Sequence, residues 1–257
     1  MDVLVCVKRV PGPGSTIPLT EAADMVDTRN LGFTVGPHEE CAIEEAVQIA
    51  AEHSGTVTVL TVGPPAAEEQ LRAALSVGAD HGVLVETGTG DRDPQATAAH
   101  IVHAIGTLAA EGHQYDLLLF GNESADAGHH QVAVRVAHAL ELPFVGGIKG
   151  VELGSGEQPV ARLRREMPDG VDVYEVALPA AVAVKEGLNL PRYPSMRGRL
   201  RASRASLRTI EAEGVTGGLH TVGLRYPPEK ESGSVRLGDG PEAAGAVVDV
   251  FEELGVM

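Results

Sequence analysis

Tryptophan is absent from this chain, and aromatic residues make up only 3% of it. Any core must therefore be built from Ala, Val, Leu and Gly, which suits helices packed closely on a sheet. Cysteine is nearly absent too. Cys6 and Cys41 match no metal-ligand spacing and no disulfide framework, which fits a reducing compartment, and a cytoplasmic protein is expected. No apolar run approaches the ~18 residues of a membrane span, and no signal peptide is expected before the first strand. Positive charge is scarce: 20 Lys and Arg face 36 Asp and Glu, a net charge of −16 that argues against nucleic-acid binding. The first strand is followed by no GxGxxG, and GxxxxGK[ST] occurs nowhere. A Gly-x-Ser-x-Gly elbow and a Ser/His/Asp order are also missing, so no catalytic residue is expected.

What is present is an alternation of apolar strands and amphipathic helices. The 257 residues are 43% hydrophobic, enough for a sizeable core. Strands are expected at Asp2 to Val7, Thr56 to Val62, His81 to Glu86 and Tyr115 to Phe120. Helices are expected at Pro37 to His53, Ala66 to Val77 and Pro94 to Ala110. Ile17 to Val35 reads as an irregular excursion with a small hairpin. Such alternation implies right-handed βαβ units and a parallel sheet, an α/β fold.

The stretch Leu117 to Leu142 stands out. A buried strand ends at Gly121, a small polar loop runs from Asn122 to Gly128, and Val132, Val136, Ala139 and Leu140 then recur at helical spacing. Small residues let a ligand approach the backbone, and free N–H groups at a helix start favour a phosphate. Gly121, Asn122, Glu123, Ser124, Asp126, Gly128, His129, His130, Gln131 and Val132 are therefore candidate nucleotide ligands. Asp126 and Gln131 have a helix-capping alternative. His129 and His130 are adjacent and point to different faces, so no metal chelate is expected. Lys8, at the carboxyl end of the first strand, is placed for a phosphate, with Arg9 beside it. Cys6 reads as core. Glu39, Glu40, Glu44 and Glu45 read as helix acids serving the macrodipole rather than as catalysts.

From Phe144 the character changes. Phe144 to Glu152, Gln158 to Glu166 and Val171 to Ala177 alternate around turns, as antiparallel strands do, and Ala180 to Val184 is a further short strand. Gly187 to Ile210 then holds six arginines and no acidic residue, which suggests an anionic partner. Its first half, through Pro191 and Pro194, reads as a loop with Met196 at the tip, and its second half is helix-compatible. Glu213 to Gly240 reads as an extended arm that needs another surface to be ordered. A closing helix, Pro241 to Leu254, carries an apolar face of Ala244, Val247, Val248 and Phe251.

Four segments meet a known family. CVKRVP (Cys6 to Pro11), GPHEECAIEEAVQIA (Gly36 to Ala50), GNESADAGHHQVA (Gly121 to Ala133) and LPAAVAVKEGLNLPRYPSMRG (Leu178 to Gly198) resemble motifs of the electron transfer flavoprotein β subunit, over almost the full chain. The last is the most specific, because Pro, Asn, Pro, Arg and Tyr keep their spacing. The resemblance implies a doubly wound sheet of the adenine nucleotide alpha hydrolase type, with an antiparallel extension and a C-terminal arm. It implies a heterodimer in which the α subunit holds the redox FAD while this chain binds a structural AMP. It adds Gly36, Pro37, His38 and Val62 to the candidate nucleotide or flavin contacts and brings the Cys6 backbone to adenine. Residues 187 to 201 would recognise acyl-CoA dehydrogenases, as in fatty acid β-oxidation, through Pro191, Arg192, Tyr193, Met196 and Arg197, with Met196 as apolar anchor. Electrons would pass on to a quinone oxidoreductase. The implied division is a nucleotide domain, 1 to 210, and an arm, 211 to 257, docking on the α subunit.

Two departures bear on the ligand. The family's Asn-Pro-Phe is Gly36-Pro37-His38, so an Asn that could hold the nucleotide and an aromatic that could face the flavin are gone. Loop 125 to 131 lacks the Asp-Gly-Asp-Thr-Ala-Gln-Val-Gly form of bifurcating members, which favours AMP over a second FAD. The basic segment is Arg-rich where relatives are often Lys-rich, which keeps charge but not geometry. Rival readings are a universal-stress-type ATP sensor and an ATP pyrophosphatase-like enzyme. The arm counts against the first, and Lys8-Arg9-Val10-Pro11 in place of a Ser-Gly-Gly-x-Asp-Ser loop counts against the second.

Overall fold

The computed structural model describes all residues except 89–92, 155–158, 213, 215, 216, 229–233 and 257. Gln158 and Glu213, two expected segment starts, lie outside the described residues. The chain divides into two compact units, Met1–Val222 and Gly223–Met257.

The first unit is organised by one nine-stranded sheet. Its strands are β1 (Val3–Val7), β4 (Val57–Gly63), β5 (His81–Glu86), β6 (Leu117–Gly121), β7 (Phe144–Leu153), β8 (Val160–Met167), β9 (Gly170–Ala177), β10 (Ala180–Val184) and β11 (Arg208–Glu211). Between β1 and β4 lie β2 (Arg9–Pro11) and β3 (Phe33–Val35), which form a separate antiparallel pair. The sheet order is β11-β5-β4-β1-β6-β10-β7-β8-β9. The seven strands from β11 to β7 pair in parallel, and β8 and β9 extend the sheet antiparallel. The chain passes from β6 to β7 leaving one place open, travels out to β9 and returns to fill the gap with β10. The strands β1 and β10 are buried throughout, because helices cover both faces. The strand β9 alternates exposed and half-buried positions, as expected of a strand covered on one side only.

Helices wind onto both faces. On one face, α1 (Pro37–His53), α2 (Glu68–Val77) and α5 (Met196–Arg204) meet Val3, Val5, Val57 and Val59 through Ala42, Ile43, Ala46, Leu71, Leu75 and Ala202. On the other, α3 (Pro94–Ala110) and α4 (Val132–Ala139) meet Leu4, Cys6, Leu60 and Leu118 through Ala98, Ile101, Ala104, Ala133 and Val136. The expected doubly wound α/β fold is the observed one.

Three local expectations need correction. Arg208–Glu211 is a strand, not the tail of a helix, because Ile210 drops into the sheet beside Val85. Met196 opens α5 rather than sitting at a loop tip, because the Ser195 hydroxyl caps that helix by accepting from the Gly198 amide at 3.0 Å. Phe144–Leu153 pairs antiparallel only with β8; its other neighbour, β10, is parallel. In the second unit, a short turn of 3-10 helix (Gly240–Ala243) leads into α6 (Ala244–Glu253), none of whose residues is buried.

Candidate functional site

The topology itself marks a site. From β1 the chain steps outward through β4 to β5 and then crosses to β6 on the far side of β1. Open α/β sheets leave a crevice at the carboxyl ends of the strands flanking such a reversal. A cleft of about 290 Å³ lies there, walled by Cys6 to Arg9 after β1 and by Gly121 to Ser124 after β6. Val62 and Gly63 close it beside β4, and Thr97 and Ile101 of α3 form its far side.

Most residues expected at the site meet in this cleft: Cys6, Lys8, Val62, Gly121, Asn122, Glu123, Ser124, Asp126, His129, His130, Gln131 and Val132 all line it. Gly36, Pro37, His38 and Gly128 do not. Gly36 stands directly behind the wall, since a Cβ on it would fall 2.5 Å from Glu39 Oε2. His38 is half-buried, with an unpartnered Nδ1, and burial pulls its pKa down. Cys6 is buried, and burial drives its thiol pKa upward, so it stays a neutral wall residue.

The loop after β6 holds its own shape. The Lys8 ammonium donates to Asp126 Oδ1 at 2.8 Å, and the Ala127 amide donates to the same oxygen at 2.7 Å. Burial pushes the Asp126 pKa up, but the bonds from Lys8 outweigh it and leave the carboxyl below its ordinary value. Gly128 sits at φ +56°, where a side chain is strained, and its amide donates to the Ser124 carbonyl at 3.1 Å. His130 is held from both sides: Nε2 lies 2.6 Å from Glu123 and Nδ1 3.2 Å from Asn122 Nδ2. The Asn122 Oδ1 accepts from the Gly147 amide at 2.8 Å, which ties the loop to β7.

Two helices point their N-termini at this cleft, and only one is open. The α3 terminus is filled by Asp93, whose Oδ1 accepts from the Ala96 amide at 2.7 Å. The α4 terminus has Gln131 at its cap position, and that side chain makes no capping bond. Neither Asp126 nor Gln131 caps it; Gln131 Oε1 instead accepts from Arg135 at 3.0 Å. The uncapped α4 N-terminus and the ammonium of Lys8 are thus the groups of the cleft whose chemistry suits an anion.

Glu39 is the residue that sequence reasoning missed. It is 4% exposed, its Oε2 has no hydrogen-bond partner, and burial raises its pKa to about 7. The signal was in the spacing, because Glu39 shares a helix face with Ala42, Ile43 and Ala46, all buried. Gly121 makes room for it: a Cβ there would meet Glu39 Cδ at 2.8 Å. Phe33 and Arg9 also line the cleft, the guanidinium stacked 3.2 Å over the ring. Arg9 is therefore part of the wall rather than a free phosphate ligand.

A second exposed region lies on the α2–α5 side. Leu190, Tyr193 and Met196 are 89%, 96% and 80% exposed, an unusual concentration of large side chains in solvent. The six arginines nearby split in two. Arg192 pairs with Glu44, Arg208 pairs with Glu111, and Arg201 donates to the Leu75 carbonyl at 2.8 Å. Arg197, Arg199 and Arg204 are exposed and make no ion pair among the described residues. Among those residues there is also no group of three or more His, Cys, Asp or Glu able to hold a metal, and no helix long and apolar enough to cross a membrane.

Comparison with known proteins gives the family. The electron transfer flavoprotein domain matches residues 25–214. The electron transfer flavoprotein subunit beta of Bacillus subtilis is 33% identical over 228 residues, 85% of this chain and 86% of the relative. That of Syntrophomonas wolfei is 32% identical, covering 94% and 92%. The caffeyl-CoA reductase-Etf complex subunit CarD of Acetobacterium woodii is 30% identical, covering 98% of both chains. Proteins of this kind carry electrons rather than catalyse a reaction. The chain belongs to the electron transfer flavoprotein subunit beta family.

Proposed function

We propose that this chain is the β half of a heterodimeric electron carrier, which holds AMP in the β1/β6 cleft and presents residues 187 to 201 to flavin dehydrogenases. The observation that carries the nucleotide reading is the pairing of a switch-point cleft with the uncapped α4 N-terminus and Lys8. Lys8 spends part of its donor capacity on Asp126 and retains protons for a phosphate. The Glu39 carboxyl, with an unused oxygen, offers a polar partner to a base or ribose. At about 290 Å³ the cleft falls at the low end of small-molecule sites, typically ~300–1,000 Å³, which favours a mononucleotide over a second FAD.

FAD, held mainly by an α subunit, supplies the redox chemistry. This chain's part is to bind, orient and dock. Its C-terminal arm, residues 211 to 257, would lay the Val247, Val248 and Phe251 face of α6 on that subunit, since the face is uncovered within its own unit. Acyl-CoA dehydrogenases would be the electron donors and a quinone oxidoreductase the acceptor.

The test is to co-express the chain with its α partner, purify the complex, denature it and identify released nucleotides by mass spectrometry. One AMP and one FAD per heterodimer are expected. Two FAD would overturn the AMP assignment and point to bifurcation. A chain that purifies alone with ATP and ignores the α partner would overturn the carrier reading in favour of a universal-stress-type sensor.

A further inference from the structure

The helix α1 serves two places at once. Its first turn puts Glu39 into the cleft, and its second and third turns face the segment after β10. There Glu44 is 6% exposed on its side chain and takes three donors from Arg192: Nη2 to Oε1 at 2.7 Å, Nε to Oε2 at 2.7 Å and the backbone amide to Oε2 at 3.2 Å. Gln48 Nε2 adds a fourth at 2.7 Å. Burial would push the Glu44 carboxyl up, yet the bonds from Arg192 and Gln48 hold it below its ordinary value. One residue on, Glu45 Oε2 accepts from Asn189 Nδ2 at 2.8 Å, and the same amide donates to the Cys41 carbonyl at 3.0 Å.

We infer that Glu44 and Glu45 are positioning residues, which fix Asn189 and Arg192 on α1 so that the intervening and following side chains stand out in one preset arrangement. The geometry explains a contrast that packing alone does not. Leu190 and Tyr193 are almost fully solvated, yet each flanks a residue locked by charge-assisted bonds to a helix in the core. A loop free to collapse would bury such side chains against its own domain. A bidentate carboxylate–guanidinium pair sets direction as well as distance, so the loop pays its ordering entropy on folding and not on docking. Two helix-face acids that look like macrodipole partners in the sequence thus work sideways, across 148 residues of chain for Glu44 and 144 for Glu45.

The inference rests on the docking reading above, and its test separates the two. In the purified heterodimer, compare wild type with E44Q and, should that variant fold poorly, N189A, which loosens the loop from its other anchor. Limited trypsin digestion reads local opening through cleavage after Arg192 and Arg197, against cleavage after Arg72 in α2 as the internal control. Loss of a charge-assisted anchor is expected to raise loop cleavage about tenfold, with Arg72 cleavage and flavin content unchanged. Affinity for the dehydrogenase should fall by about the same factor. A looser loop with unchanged dehydrogenase affinity would support the positioning role and overturn the docking reading. Loop cleavage within about twofold of wild type in both variants, or an equal rise at Arg72, would overturn the inference.

Discussion

At the scale of single residues, Glu39 carries a measurable signature. Burial raises its pKa from 4.5 to about 7 in the folded chain. The folded state therefore binds this proton more tightly than the unfolded one. The associated stability is complete below about pH 4.5 and is lost as pH climbs through about 7. At 1.36 kcal/mol per unit, the ceiling is about 3 kcal/mol. Urea denaturation of wild type and E39Q at about pH 5 and pH 8 isolates this from other groups. Wild type should lose about 2–3 kcal/mol relative to E39Q across that range, and parallel profiles would sink the assignment. The sequence displayed Glu39 as one acid among five in a helix, and only the burial of its neighbours tells it from Glu40, which is exposed. For Glu44 and Glu45 the sequence was silent about the partner, because Arg192 and Asn189 reach them only through the return of the chain along β10.

At the scale of elements, the join between α2 and α5 is closed by reciprocal arginines. Arg201 donates to the Leu75 and Ala79 carbonyls at the end of α2, and Arg72 donates to the Ala202 and Ala205 carbonyls at the end of α5. Each helix thus satisfies the other's terminal acceptors. Their approach is set by Gly198, where a Cβ would lie 2.1 Å from the Ser76 carbonyl oxygen, a backbone atom that cannot yield. G198A should destabilise the chain by about 1–3 kcal/mol, the usual cost of overpacking. G106A, in the exposed middle of α3 with open space around it, should instead stabilise by about 0.5–1 kcal/mol. Thermal unfolding of both variants checks this pair, and equal effects would show that the α2–α5 contact is not tight. Elements of this kind were unevenly legible. The strands β1, β6 and β10 announce themselves as continuous apolar runs because both faces are covered. The strand β11, Arg-Thr-Ile-Glu, is four residues at an edge with one buried side chain, so local pattern could not separate it from the basic helix before it. The order of strands, and hence the cleft, follows from topology and not from any one segment.

At the scale of the whole molecule, charge is segregated. The chain carries −16, yet Arg197, Arg199 and Arg204 all project from α5, the short helix that follows the exposed Leu190 and Tyr193 and opens with the exposed Met196. Being unpaired among the described residues, these three arginines do little for folding, and surface charges of this kind are each worth at most about 1 kcal/mol of stability. Their field matters at a distance: a basic patch on an acidic body orients an incoming partner whose docking face is acidic and repels from the remaining surface one that is acidic overall. Electrostatic orientation acts on association rate and weakens as salt shortens the screening length to about 10 Å at 0.1 M. If a dehydrogenase docks here as proposed, reversing the patch with R197E, R199E and R204E together should slow its association by about tenfold or more at low salt. The difference from wild type should shrink as salt rises, while the dissociation rate and the unfolding midpoint move little. Stopped-flow association across a salt series measures this directly. A triple variant that associates at the wild-type rate at low salt would show that the patch does not steer, and one that unfolds early would show that the arginines belong to the fold. M196A makes the complementary case: it removes apolar contact without charge, so it should speed dissociation at every salt concentration and leave the salt slope of association intact.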